Sequence, residues 1–293
     1  MANKQANPLS AYFRAPKLFT SIPSGGQGYT PDIVEMPETG ELPIFAMTSK
    51  DELIMRNPDA LLNGEAVTQV IQSCVPNVKN ARKMLSVDID ILLIAIQGAT
   101  YGDDIEVSAE CPKCTNKTTA IASVDTALAT MGSVDGNYRI EENGLTIEVK
   151  PFNYSSTIKA GITNFKSTRS LQALAEIPDE MERLAMFNQN FKEIALLNTE
   201  LVTDSVASIT AKDPDGNEIV VTDRQQILEF LDNADSSIGK SIENQIGEIN
   251  NQGVNLEMEL ECEFEDCVKN NNGIPHKFSS KVNFDPVNFS MAS

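Results

Sequence analysis

Two cysteine pairs constrain this chain more than any other feature. Cys111 and Cys114, in ECPKCTNKT, stand two residues apart around Pro112, and Cys262 and Cys267, in LECEFEDCVKNNNGIPHKF, have four residues between them. Thiolates at these spacings are half-sites for structural zinc, which takes four soft ligands in a tetrahedron. Neither pair suffices alone, so the pattern predicts one zinc shared by Cys111, Cys114, Cys262 and Cys267. The competing reading is two pairs of ordinary cysteines, reduced or disulfide-linked. Each pair lies between runs with strand character: DDIEVSAEC and KTTAIASV around the first, NLEMELEC and HKFSSKVNF around the second. Two hairpins facing each other across one ion make a zinc ribbon. His276, the only histidine, is a possible substitute for one thiol, but at the start of a strand it reads as a surface residue.

The two pairs are separated by residues 115–261. Closing a loop of that length costs about 4–5 kcal/mol of chain entropy. Structural zinc contributes an apparent 10–16 kcal/mol or so, enough to hold the closure. Four thiolates leave no open coordination position, so the role read for the metal is architectural.

Composition supports metal over disulfides. Five cysteines in 293 residues, the fifth being Cys74, are too few and too unevenly placed for a secreted disulfide scaffold. The stretch MANKQANPLSAYF has no apolar core of the signal-peptide kind. The longest apolar run, Ile89 to Ile96, is broken by Asp90 and falls far short of the roughly 20 residues a membrane span needs. These features predict a reducing, cytosolic setting, in which paired cysteines hold metal.

The fold class expected is α+β, in four parts. Residues 1–45 read as an extended arm, rich in proline and glycine yet carrying Leu9, Tyr12, Phe13, Leu18, Phe19 and Ile22. Such anchors pack either on their own domain or on a neighbouring subunit. Residues 1–30 are expected to order across a neighbour, and their deletion to leave a folded, zinc-bound domain. Residues 46–102 read as a helical unit: a capping box at Ser49 and Glu52, an N-cap at Asn57-Pro58, a stop at Gly64, a buried face of Val67, Val70, Ile71 and Cys74, and an apolar helix from Asp88 to near Gly102. Residues 103–135 and 253–293 form the cysteine hairpins. Between them, 136–252 is an α/β insertion. It has a hairpin at Asn143-Gly144, helices over about 155–175 and 178–204, a second hairpin turning at Pro214-Asp215-Gly216, and helices over about 223–231 and 236–250. The isoleucines at 238, 242, 246 and 249 form a narrow seam for helix–helix contact, inside the fold or with a second copy.

Catalytic signatures are missing. ADSSIGKS at 234–241 differs from a phosphate-binding loop only at Ala234, but it continues a helical pattern where such a loop must follow a strand. With one histidine, no G-x-S-x-G and no H-E-x-x-H, the sequence predicts neither catalytic residues nor a nucleotide site. The acidic pairs Asp88/Asp90 and Asp103/Asp104 read as solvated faces or helix starts. Forty-two acidic residues against 23 basic give a formal charge of −19, and the only local basic cluster is Lys79, Arg82 and Lys83. With no tryptophan to stack on bases, direct nucleic-acid binding is not expected.

Three stretches, in this order, resemble a known family: IPSGGQGY, then ELPIFAMTSKDELIMRNPDALLNGEAVTQVIQSCVPNV, then DIDILLIAIQGATYGDDIEVSAECPKC. They are similar to the baseplate hub proteins of contractile-tailed bacteriophages of the T-even type. The closing KVNFDPVNF after the second cysteine pair is similar as well, so the resemblance covers about residues 8–125 and 255–290. One departure is Gln97, where the family pattern leads us to expect arginine. The resemblance implies a structural part of the tail baseplate. Its contacts would be with hub, tube and tape-measure proteins or with copies of itself, in the host cytoplasm during assembly and then in the virion tail. The alternatives are a hub or tape-measure assembly chaperone that leaves before completion, and a zinc-ribbon regulator of transcription, which the charge disfavours. No reaction is implied.

Overall fold

A single apolar helix organises the molecule. In the computed structural model, which describes residues 9, 12–134, 138–174, 179–212, 215–250 and 257–281, this helix is Ser86–Tyr101 and is buried almost all round. Its Ile89, Leu92, Leu93, Ala95 and Ile96 enter one core, Val87 a second and Ile94 a third. A helix apolar on every side has no face to give to solvent, so other elements must cover it from several directions.

The first core lies N-terminal to this helix in the chain. It contains β1 (Pro16–Thr20) paired antiparallel with β2 (Leu42–Phe45), then α1 (Ser49–Met55), α2 (Pro58–Leu62), α3 (Glu65–Cys74) and a 3₁₀ turn at Ala81–Lys83, before the apolar helix, α4. The capping box sits one residue earlier than the sequence suggests. Thr48 is the N-cap of α1, accepting from Asp51 N while Asp51 accepts from Thr48 N. Asn57 caps α2 as expected, accepting from Asp59 N and Ala60 N. Gly64 adopts a left-handed φ of 69° and leads into α3. The expected face of α3 is buried, with Val67 at 3% exposure and Val70, Ile71 and Cys74 at 0%.

Residues 14–45 are part of this core rather than a detached arm. Ile22, Val34, Leu42 and Ile44 are buried in the same cluster as α3 and α4. Of the two alternatives the sequence left open, this segment packs on its own subunit. From Arg14 onward the segment is tied to the rest of the chain, which argues against residues 1–30 being dispensable for folding. Arg14 donates to Ala46 O and Ser73 O, each at 2.6 Å, and Ser24 and Tyr29 bond to Asp88. Leu9, Tyr12, Phe13 and Phe19 remain exposed; residues 1–8, 10 and 11 lie outside the described residues.

After α4 the chain forms β3 (Asp104–Glu110), β4 (Lys117–Ser123) and α5 (Val124–Ala129). The insertion then runs β5 (Tyr138–Glu142), β6 (Leu145–Val149), α6 (Tyr154–Leu174), α7 (Glu180–Ser205), β7 (Val206–Lys212), β8 (Glu218–Val221), α8 (Arg224–Asn233) and α9 (Ser236–Asn250). Asn143 and Gly144 both have positive φ, 53° and 78°, as a two-residue turn between twisted strands requires. The two expected hairpins join into one antiparallel sheet, β5-β6-β7-β8, in which β6 pairs with β7 across the α6–α7 helix pair. Ile238, Ile242, Ile246 and Ile249 are all buried against this sheet and its neighbours, so the seam serves the interior. Pro214 of the second turn lies outside the described residues.

The chain returns through β9 (Glu257–Cys262), α10 (Glu265–Asn270) and β10 (His276–Lys281). Leu260, with Met258 and Phe278 beside it, shares the third core with Ile94, Ile105, Val107 and Ala122. The architecture is thus α+β. The remainder of the KVNFDPVNF stretch, beyond Lys281, lies outside the described residues.

Candidate metal centre

The β3–β4 hairpin is in register from Asp104↔Ser123 to Glu110↔Lys117, which places Cys111 to Asn116 at its tip. There the backbone folds tightly: Cys111 N donates to Asn116 O at 2.9 Å and Thr115 N to Cys111 O at 2.8 Å, with Thr115 at φ 58°. A loop wound this tightly turns its amide N–H groups toward the sulfurs. The second pair is built differently from the knuckle the sequence suggested. Cys262 ends β9, but Cys267 sits in α10, whose first turn carries Glu265 and Asp266. Acidic residues in a first turn favour a helix start, and the helix points Cys267 inward.

These elements bring Cys111, Cys114, Cys262 and Cys267 together, with all four sulfurs within 4.8 Å of one another. Cys114 Sγ is 3.5 Å from Cys262 Sγ, and Cys111 Sγ is 3.9 Å from Cys267 Sγ. A disulfide needs about 2.05 Å between sulfurs, and all the cysteines are free. Zinc bonded to four thiolates at about 2.3 Å sets the sulfurs about 3.8 Å apart, so the donor set fits a tetrahedral ion. Cys111, Cys262 and Cys267 are buried and Cys114 is half-buried. Lys113 Nζ donates to Asn271 Oδ1 at 3.0 Å, tying the first loop to the end of α10.

The electrostatics differ among Cys111, Cys114 and Cys267. The Asn116 N–H, ahead of opposing burial, holds the Cys114 thiol down at about 7. Burial pushes Cys111 up, but the N–H groups of Lys113 and Cys114, with His276, outweigh it and leave that thiol below its ordinary value. Burial, then the neighbouring thiols, drives Cys267 up to about 12. A dication would relieve this crowding, because its binding displaces the remaining protons.

His276 is closer to the centre than its position at a strand start implied. It begins β10 as expected, but it faces Cys262 across the ladder, and its Nδ1 is 3.4 Å from Cys111 Sγ. Its ring stacks on Phe278, with centroids 5.7 Å apart and planes at 13°. The sequence signal available was only the strand register, which the CVKNNNGIPH segment does not fix by itself.

Other residues singled out in the sequence are placed as follows. Asp88 is not on a solvated face: it is fully buried and accepts from Ser24 N at 3.0 Å, from Ser24 Oγ at 2.6 Å and from Tyr29 OH. Gln97 is buried too, and among the described residues its Oε1 has no hydrogen-bond partner. The basic cluster is engaged by its own chain: Lys79 lies 3.8 Å from Glu35, Lys83 3.7 Å from Asp32, and Arg82 donates to Asn63 O. The segment resembling a phosphate loop is helical from Ser236 onward and follows α8, not a strand.

Fold and site together define a class: an α+β protein whose sequence-distant segments bring four cysteines together in a cluster that could hold a metal ion. The chain belongs to the T4 bacteriophage base plate protein family, whose model matches residues 20–279. The match runs through the insertion, which the stretches quoted above did not cover. No curated protein and no solved structure matches the chain. Among the described residues, no helix is long and apolar enough to cross a membrane.

Proposed function

We propose that this baseplate protein is a permanent structural part of the hub region of the phage tail, held in shape by one zinc ion on Cys111, Cys114, Cys262 and Cys267 in a zinc-ribbon arrangement. The observation that carries the proposal is the convergence of thiols 148 positions apart in a protein of the baseplate family. Such a cross-link fixes the geometry of the whole C-terminal half, which suits a load-bearing part. Its contacts would be with hub, tube or tape-measure proteins, made after synthesis in the host cytoplasm. The exposed Tyr12, Phe13 and Phe19 supply an apolar front for one of them. No reaction is assigned to it.

An assembly-chaperone role has one observation in its favour. Met181, Leu184, Phe187 and Phe191 are exposed along one side of α7, as a client-shielding surface would be. Mass spectrometry of purified particles separates the two. Stoichiometric presence in finished tails supports the structural reading. Absence from tails, with recovery on hub intermediates, supports the chaperone and refutes the structural proposal.

A further inference from the structure

We propose that His276 is a positioning residue for the metal centre: its Nδ1–H donates to the Cys111 sulfur, drawing charge off that thiolate and raising the affinity of the site for its ion. This rests on the zinc reading above and adds a residue that the four-cysteine pattern does not contain.

The geometry supports a donor in the outer shell. Nδ1 lies 3.4 Å from Cys111 Sγ, within the usual reach of a hydrogen bond to sulfur. Two features fix the ring there. His276 opposes Cys262 in the β9–β10 ladder, so the strand that ends in one ligand also places the imidazole. Phe278, next on the same side of the strand, stacks on the ring and also packs against the cysteine cluster. The Cys111 sulfur meanwhile receives the Lys113 and Cys114 N–H groups, so the imidazole joins an existing set of donors.

The chemical need is plain. Four thiolates around a dication carry a net charge of two minus, and Cys111, Cys262 and Cys267 are buried, where excess charge is costly. Hydrogen bonds to the sulfurs spread that charge without occupying a coordination position. Outer-shell partners of this kind typically contribute 10–100-fold in metal affinity. Cys114, half-buried, is the most accessible of the four.

The test uses the full chain loaded with zinc, then with cobalt(II) as a spectroscopic probe. His276→Ala should still hold one ion per chain, with affinity in a chelator competition reduced roughly 10–100-fold. Its sulfur-to-cobalt charge-transfer band should move to lower energy, because a thiolate without its donor is easier to oxidise. His276→Gln, which restores an N–H, should recover part of both effects, while His276→Leu, similar in bulk without a donor, should not. Unchanged affinity and an unmoved band in His276→Ala would overturn the proposal. So would complete loss of the ion, which would make His276 a ligand, or equal rescue by leucine, which would make its role packing alone. A wild-type chain that binds no metal would instead defeat the zinc reading itself.

Discussion

Replacing Asp88 with alanine should release the N-terminal segment and cost a large share of the chain's stability. The buried carboxylate accepts from Ser24 N, Ser24 Oγ and Tyr29 OH, and Tyr29 OH in turn accepts from Leu85 N at 2.7 Å. One side chain at the start of α4 thereby holds the IPSGGQGY turn 59 to 64 positions away in sequence. Hydrogen bonds to a charged acceptor contribute about 1.5–3 kcal/mol each, and they are not additive here because Ser24 supplies two of them. Removing one side of a buried charged group typically costs about 3–5 kcal/mol. We take that range for Asp88→Ala, against a total stability on the order of 5–15 kcal/mol. At about 2–4 °C per kcal/mol for a chain of this size, the melting temperature should fall by roughly 10 °C. Thermal unfolding followed by circular dichroism reads the fall. Limited chymotrypsin digestion should show faster cleavage at Tyr29. Asp88→Asn, which keeps one acceptor oxygen but brings an amide N–H to face a donor, should lie between. A melting temperature within about 2 °C of wild type, with unchanged cleavage, would refute the latch.

Stability should also depend on pH through the same group. Burial raises the Asp88 carboxyl above its ordinary value, and the Ser24 and Tyr29 hydrogen bonds offset this only in part. Only between the two values does the folded chain keep a proton that the unfolded chain gives up, so this group's contribution is lost as pH rises from about 4 through the raised folded value, above which the carboxylate is charged. Urea melts at stepped pH should show a flatter dependence for Asp88→Asn. Deleting residues 1–30 removes Ile22, Ser24 and Tyr29 and should prevent cooperative folding. Ile242→Ala, at a fully buried position of the α9 seam, should cost about 2–5 kcal/mol in denaturant titration. Gly64→Ala should destabilise markedly in the same assay, since φ is 69° there and a Cβ would come 2.2 Å from Ile158 Cδ1.

What the sequence made legible was whatever is encoded locally. The C-x-x-C spacing, the Asn57-Pro58 cap, the Asn143-Gly144 turn and the all-round apolar character of α4 each follow from neighbouring residues. The packing of residues 14–45 does not, because Ile22, Val34, Leu42 and Ile44 sit in turns and short strands with no period to read. Their burial depends on partners such as Asp88 and Ser73 that lie far along the chain. Asp88 itself looked like an ordinary acidic helix start, since nothing adjacent announces that Ser24 and Tyr29 will cover it. The Cys267 helix was within reach: Glu265 and Asp266 before the cysteine and Lys269 after it are the charge order a short helix favours. His276 was misplaced because its contact is set by strand register and by the loop carrying Cys111, 165 positions away.

The most direct test of the account is the metal content of the purified full-length chain, measured by elemental analysis alongside Cys262→Ser. The account predicts one zinc per wild-type chain, and in Cys262→Ser a sharply reduced zinc content with a lower melting temperature. A wild-type chain free of metal, or a Cys262→Ser variant as stable as wild type, would contradict it.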